Sequence, residues 1–245
     1  MAFFFLLRLA KAAASHLSKK VETIMRLTAF EYGESELPER MVFQNGTESI
    51  KVPIALLFFL IEDGGRKILV DTGCDTMPGF PLFAFQRPVD VLERYGVKRH
   101  EITDVLITHA HHDHIDGLHY YPQANVYIQE KEALLSGKYI GNKENVYTFR
   151  DRIFLGNDIC FQCIGGHSIG SSIVLIHASD NVYVLCGDEC YTAENLLQAK
   201  PTGSSCNLQN SISFVNEYRK NAYQPILFHD KNLIGKIGYK TIFQT

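Results

Sequence analysis

The order of apolar runs and turns predicts an α/β protein built from two β-sheets packed together, with helices outside. Pairs of strand-like segments alternate with single helical ones, in two halves of similar character. After Met25 no repeat, low-complexity tract or Pro/Gly-rich linker breaks the pattern, so residues 25–245 are read as one domain. With 245 residues, 46% apolar and 21% charged, the chain can bury a substantial core, and disorder is not its default state.

Pro53 to Ile61 is a continuous apolar strand, Asp63-Gly64-Gly65 a tight hairpin turn, and Lys67 to Val70 the returning strand. That strand ends in the polar loop Asp71-Thr72-Gly73. Val89 to Tyr95 is helical, with Val89, Leu92 and Tyr95 on one side. Asp104 to Thr108 is a short, fully buried strand, Asn125 to Gln129 another, and Glu130 to Ser136 a short helix. In the second half, strands are expected at Asp158 to Ile164, Ser172 to His177 and Asn181 to Cys186. Ser211 to Tyr223 is a helix burying Ile212, Val215 and Tyr218, and Pro225 to Phe228 is the last strand.

The chemistry concentrates in Thr108-His109-Ala110-His111-His112-Asp113-His114, where imidazoles and a carboxylate crowd together just past a strand. Neither group is a good core residue, and a solvated loop needs neither. A rigid strand end holds such donors in fixed directions while leaving them reachable. Asp71, His167, Asp188 and His229 also follow strands directly, in polar or Gly-rich turns. Strands sharing a direction collect these side chains at one edge. Five histidines with two or three carboxylates exceed what one ion can use, which points to two metals. Imidazole nitrogen with carboxylate oxygen suits zinc best, with manganese, iron and cobalt as alternatives.

The HxHxDH run at His109–His114, the segment Gly166-His167-Ser168-Ile169-Gly170-Ser171, the Gly187-Asp188 step and His229-Asp230, in that order, resemble the metallo-β-lactamase superfamily. The resemblance runs from about Pro53 to Asp230 and includes Leu69-Val70-Asp71-Thr72-Gly73. It implies a four-layer αβ/βα sandwich of two mixed β-sheets flanked by helices. Within the superfamily the chain is most similar to the N-acyl-homoserine lactonases. Asp188-Glu189-Cys190-Tyr191-Thr192 keeps a tyrosine three residues after the aspartate, and Ala193-Glu194-Asn195 continues the likeness. Much of residues 76–87 and 195–210, which line the substrate pocket in that family, shows no such likeness.

Residue by residue, the resemblance implies two divalent cations per chain. His109, His111 and His167 hold one, Asp113, His114 and His229 the other, and Asp188 bridges them. A hydroxide held between two cations is a nucleophile near neutral pH, and it is expected to attack the ester carbonyl of a lactone. Tyr191 then hydrogen-bonds the developing oxyanion, and Asp113 or Asp188 carries the proton. The expected partner is a small lactone, with no nucleic acid and no stable membrane insertion.

Other features carry plainer readings. His112 is a bystander inside the cluster, His100, His119 and His177 are ordinary histidines, and Asp116 is a turn residue. Asp71 either caps its loop or hydrogen-bonds a ligand histidine from behind. Phe80-Pro81-Leu82-Phe83-Ala84-Phe85 is a packed loop or an apolar wall for an acyl chain. Six scattered cysteines in a chain this large point to a reduced, cytoplasmic protein. Cys160 and Cys163 sit three apart in a strand and point to opposite faces, against a redox or zinc pair.

Residues 1–24 are expected to lie outside the core. Arg8 and Lys11 interrupt the apolar start far short of the ~20 residues a bilayer span needs. Only the amino terminus supplies positive charge before that apolar stretch, against a secretory signal, although Ala12-Ala13-Ala14 resembles a cleavage site.

The net charge of −3 argues against a nucleic-acid surface. The nearest rival is a glyoxalase-II-like thioesterase on the same metals, which the donor set alone does not separate. A β-lactamase does not fit a bridging Asp188, and a flavo-diiron protein usually has a glutamate where His111 stands. An iron-dependent redox enzyme of the same fold remains the alternative from another class.

Overall fold

The structure is a computed structural model that describes residues 24–179 and 181–245. All of the segment expected outside the core, apart from Ile24, falls outside the described residues. The strands are β1 (Met25–Pro38), β2 (Lys51–Asp63), β3 (Arg66–Val70), β4 (Asp104–Ile107), β5 (Asn125–Gln129) and β6 (Val146–Phe149). They continue with β7 (Arg152–Phe154), β8 (Ile159–Cys163), β9 (Ser172–Ala178), β10 (Asn181–Leu185), β11 (Tyr223–Ile226) and β12 (Gly238–Gln244). The α-helices are α1 (Glu39–Val42), α2 (Pro88–Tyr95), α3 (His112–Ile115), α4 (Glu130–Leu135), α5 (Gly137–Ile140), α6 (Ala193–Leu197) and α7 (Leu208–Tyr218).

One sheet has the order β12-β1-β2-β3-β4-β5-β6 and the other β11-β10-β9-β8-β7. Both are mixed. In the first, β12 to β3 pair antiparallel and β3 to β6 parallel. In the second, only β10 and β11 run parallel.

The unbroken apolar run of β2 follows from burial on both faces. Ala55, Leu57, Phe59 and Ile61 point between the sheets, against Phe161, Val174, Ile176 and Leu185 of the second sheet. Ile54, Leu56, Phe58 and Leu60 point the other way, into a core with Val91 and Leu92 of α2. On the far side of the second sheet, Ile173 and Val184 meet Phe214, Val215 and Tyr218 of α7. Helix, sheet, sheet and helix make the four expected layers. The β2–β3 turn sets Gly64 and Gly65 at φ 56° and 89°, which the Gly-Gly pair adopts without a Cβ penalty.

β1 carries no alternating signal because its buried polar residues bond to tertiary partners inside the fold. Glu31 is fully buried and accepts the backbone N–H groups of Gly235 and Lys236 at 2.9 and 3.1 Å. Ser35 donates to the carbonyl of Pro81 at 2.7 Å. The helix expected over 211–223 runs instead over Leu208–Tyr218, capped by the Asn207 side chain, which accepts from Asn210 N–H. A turn from Lys220 to Tyr223 ends it, and Tyr223 opens β11. The buried face is Ser211, Phe214, Val215 and Tyr218, with Ile212 only half-buried. Cys160 and Cys163 are free thiols, and Cys163 packs on the inter-sheet core while the Cys160 side chain projects from the opposite face of β8. No described helix is long and apolar enough to cross a membrane.

Candidate metal centre

Five strand ends build the site. β3 delivers Asp71, β4 the histidine run, β8 the loop with His167, β10 the turn with Asp188, and β11 the segment ending at His229. The histidine run is not all loop, because His112–Ile115 closes a helical turn that swings Asp113 and His114 back toward the strand end.

Two groups of donors form there. In one, ligand atoms of His109, His111, His167 and Asp188 all lie within 4.8 Å of one another, and in the other those of Asp113, His114 and His229 do. His111 Nδ1 is 2.9 Å from both His109 Nε2 and His167 Nε2. Asp188 faces both groups. Its Oδ2 lies 3.8 Å from His109 Nε2 and 3.5 Å from His167 Nε2. Its Oδ1 lies 3.1 Å from His114 Nε2 and 3.0 Å from His229 Nε2. Asp113 Oδ2 sits 3.6 Å from His114 Nε2 and 3.9 Å from His229 Nε2.

The hydrogen bonds behind the histidines decide which ring nitrogen is free. His114 Nδ1 is 2.6 Å from Asp71 Oδ2, His229 Nδ1 is 2.9 Å from the Ala55 carbonyl, and His109 Nδ1 is 3.1 Å from the Thr108 hydroxyl. Those oxygens take the Nδ1 protons, so each Nε2 presents a lone pair to the centre. Thr108 in turn donates its hydroxyl and its backbone N–H to Asp71, both at 2.7 Å. Among the described residues, buried His114 Nε2 has no hydrogen-bond partner. His111 Nδ1 can give a proton to only one of the two Nε2 atoms it faces, so the other contact is repulsive unless something positive lies there, and nitrogen with carboxylate oxygen is a donor set divalent cations accept. The residues fit the metal the sequence implies.

Charge is divided to match. Burial depresses the His109 imidazolium far below the ordinary value, and burial pushes His167 down to about 4. Burial would do the same to His114 and His229, but Asp188 and its carboxylate neighbours outweigh it and hold both above the usual value. Burial alone would raise Asp188, yet His114 and His229 hold it well below the carboxylate range.

Tyr191, 4% exposed, stacks on His229 at 5.0 Å between ring centroids. Burial, then the Asp188 and Asp113 carboxylates, push its phenol far above the ordinary value, so it stays a hydrogen-bond donor. A cavity of about 280 Å³ opens over the centre. Its apolar walls are Leu37, Met41, Ile54, Met77, Pro78 and Phe80, and its polar lining includes Ser204 and Tyr191. Among the described residues, no lysine or arginine lines it.

Of the aromatic stretch 80–85, only Phe80 forms cavity wall. Phe83 bridges to Glu34 and Phe85 packs on Tyr32. His112 touches the cavity, but its nitrogens face Tyr139 and Thr76 at 2.9 and 3.3 Å. His100, His119 and His177 are exposed and belong to neither donor group, and Asp116 accepts from Asp75 N–H in a turn. Sequence reasoning missed Glu132 and Glu189, both buried behind the histidines. Nothing in a lone glutamate separates a buried carboxylate from a solvated one.

The chain belongs to the metallo-beta-lactamase superfamily, whose family model matches residues 57–220. It is 26% identical over 142 residues to the hydroxyacylglutathione hydrolase of Erwinia tasmaniensis, a match covering 56% of this chain and 47% of that enzyme. The chain thus spans about half the length of that relative. Among solved structures it is similar to a quorum-quenching N-acyl homoserine lactone hydrolase, with TM-score 0.77 and 19% identity over 88% of this chain and 97% of the other. It is also similar to an N-acyl homoserine lactone hydrolase with the product N-hexanoyl-L-homoserine at its catalytic metal center. There the TM-score is 0.75 and the identity 18%, over 86% and 95% of the two chains. At such identities the likeness establishes the fold.

Proposed function

We propose that the chain is a metal-dependent hydrolase that opens the ester ring of lactones, N-acyl-homoserine lactones foremost, with two divalent cations, zinc by preference. The observation that carries this reading is Asp188, whose two oxygens face two separate donor groups beside an apolar cavity holding a tyrosine hydroxyl. His109, His111 and His167 would hold one cation, and Asp113, His114 and His229 the other, with Asp188 shared. Such a pair lowers the pKa of water from about 15.7 toward 7 and polarises a carbonyl.

The chain's own groups do the rest. Leu37, Met41, Ile54 and Phe80 shelter an acyl chain from water and aim the ring at the donors. Tyr191 donates its O–H to the carbonyl oxygen as negative charge builds there. Asp113 carries the proton to the departing ring oxygen. Both carboxylates line the cavity, but the Asp113 side chain is 18% exposed and that of Asp188 only 4%.

The second reading, a thioesterase acting on glutathione conjugates, draws support from the hydroxyacylglutathione hydrolase match. Glutathione brings two carboxylates, and the described residues lining the cavity include no lysine or arginine to give them a counter-charge. Metal analysis with a pH-stat screen of lactones, thioesters and a β-lactam tests both readings. The expected result is two metals per chain and turnover of lactones. Turnover confined to thioesters overturns the substrate, and a metal-free active enzyme overturns the whole reading.

A further inference from the structure

We infer that Glu132 and Glu189 are positioning residues that set the geometry of the three-histidine side of the site, and with it that side's affinity for a cation. The inference rests on the reading of His109, His111 and His167 as ligands.

The four donors of that group lie on three chain segments, residues 109–111, the loop 164–171 and the turn at 188. Glu132, 1% exposed on α4, ties the first to the second. Its Oε2 accepts the Ala110 N–H at 2.8 Å, between two of the histidines. Its Oε1 accepts the Ser168 hydroxyl at 2.7 Å and the Gly170 N–H at 2.9 Å, just past the third. Glu189, fully buried, ties the second to the third. It accepts the N–H groups of Gly166 at 3.0 Å and His167 at 3.2 Å and the Ser171 hydroxyl, and it follows Asp188 directly. A Cβ at Gly166 would collide with the Glu189 carboxylate and the Ser211 side chain, so the loop lies against its brace.

Among the described residues, neither carboxylate has a lysine, arginine or histidine side chain as a partner. Burial pushes Glu189 up to about 7, and a buried carboxyl group facing only backbone and hydroxyl donors is an expensive way to fasten a loop that serine or asparagine could hold. Its gain is rigidity, because one planar group with two strong acceptors fixes the separation of two segments. A glutamine keeps the volume but not the function. At position 132 its single oxygen serves one segment and its amide nitrogen points at a donor of the other, and at position 189 the amide nitrogen points at an N–H of the 166–171 loop that both carboxylate oxygens face.

The test is cation binding by the full chain, stripped of metal and titrated with Zn²⁺ against a competing chelator, with the Co²⁺ absorption spectrum as a second readout. Glu132→Gln and Glu189→Gln should bind the first cation about 10- to 100-fold more weakly and change the Co²⁺ spectrum, with circular dichroism unchanged. Ser168→Ala, which removes one donor at a partly exposed residue, should give a smaller loss of about threefold; it keeps the test open if a glutamine variant does not fold. Wild-type affinity and spectrum in all folded variants, with only the melting temperature lowered, would overturn the inference and leave the glutamates as loop staples. A wild-type chain that binds neither Zn²⁺ nor Co²⁺ would instead sink the ligand assignment itself.

Discussion

Replacing Asp71 by asparagine changes one atom and should disable a histidine that Asp71 holds from behind. Asp71 is fully buried and receives three hydrogen bonds, two from Thr108 at 2.7 Å and one from His114 Nδ1 at 2.6 Å. An asparagine that still accepts from the Thr108 N–H must turn its NH₂ toward His114. His114 Nδ1 then becomes the acceptor and the ring proton moves to Nε2, the nitrogen that faces Asp188 at 3.1 Å. A protonated Nε2 cannot bind a cation. Partners of this kind are worth about 10- to 100-fold in metal affinity, which is about 1.4–2.7 kcal/mol. Chelator competition should show the loss at the second cation only, with the three-histidine group unaffected. Equal affinity of Asp71→Asn and wild type for both cations would refute the tautomer argument.

Tyr191→Phe should slow lactone turnover about 10²- to 10³-fold through loss of one oxyanion donor, with metal content unchanged. Loss of metal in that variant would contradict its assigned role. Phe80→Ala should erode the preference for longer acyl chains. Two methylenes released from a buried wall are worth up to about 1.6 kcal/mol, or roughly 15-fold in kcat/KM, so an unchanged chain-length profile would remove Phe80 from the acyl site. The metal-free protein should lose stability as pH rises above about 6.5. Below that pH two shifts oppose each other, since His167, held down to about 4, refuses a proton the unfolded chain takes up, while Glu189, pushed up to about 7, keeps one the unfolded chain has lost. Above it, the contribution of His114 and His229, whose values are raised, is lost as they deprotonate. A melting temperature that does not fall between about pH 6.5 and 9 would contradict these assignments.

The helix–sheet–sheet–helix layering was legible because β2, β4, β9 and β10 carry apolar residues on both faces and each ends in a polar turn. The donors were legible for the same reason. His109, Asp188 and His229 are polar residues placed just where an apolar strand stops. β1 was not legible, because Thr28, Glu31 and Ser35 look solvated until partners more than forty residues away are known. β6, β7 and β12 are short or edge strands whose exposed residues erase the alternation. The cavity wall was legible only in part. Phe80 stood out as aromatic, but Leu37 and Met41 reach the cavity from the end of β1 and from α1, where the sequence carries no signal. Glu132 and Glu189 act through hydrogen bonds that no spacing encodes.

The shared role of Asp188 is tested most directly by diffraction from crystals grown with zinc, with anomalous differences collected at the zinc edge. Two peaks about 3.5–4 Å apart, one against each Asp188 oxygen, are the expected result. A single peak, or a pair that does not straddle Asp188, would contradict it.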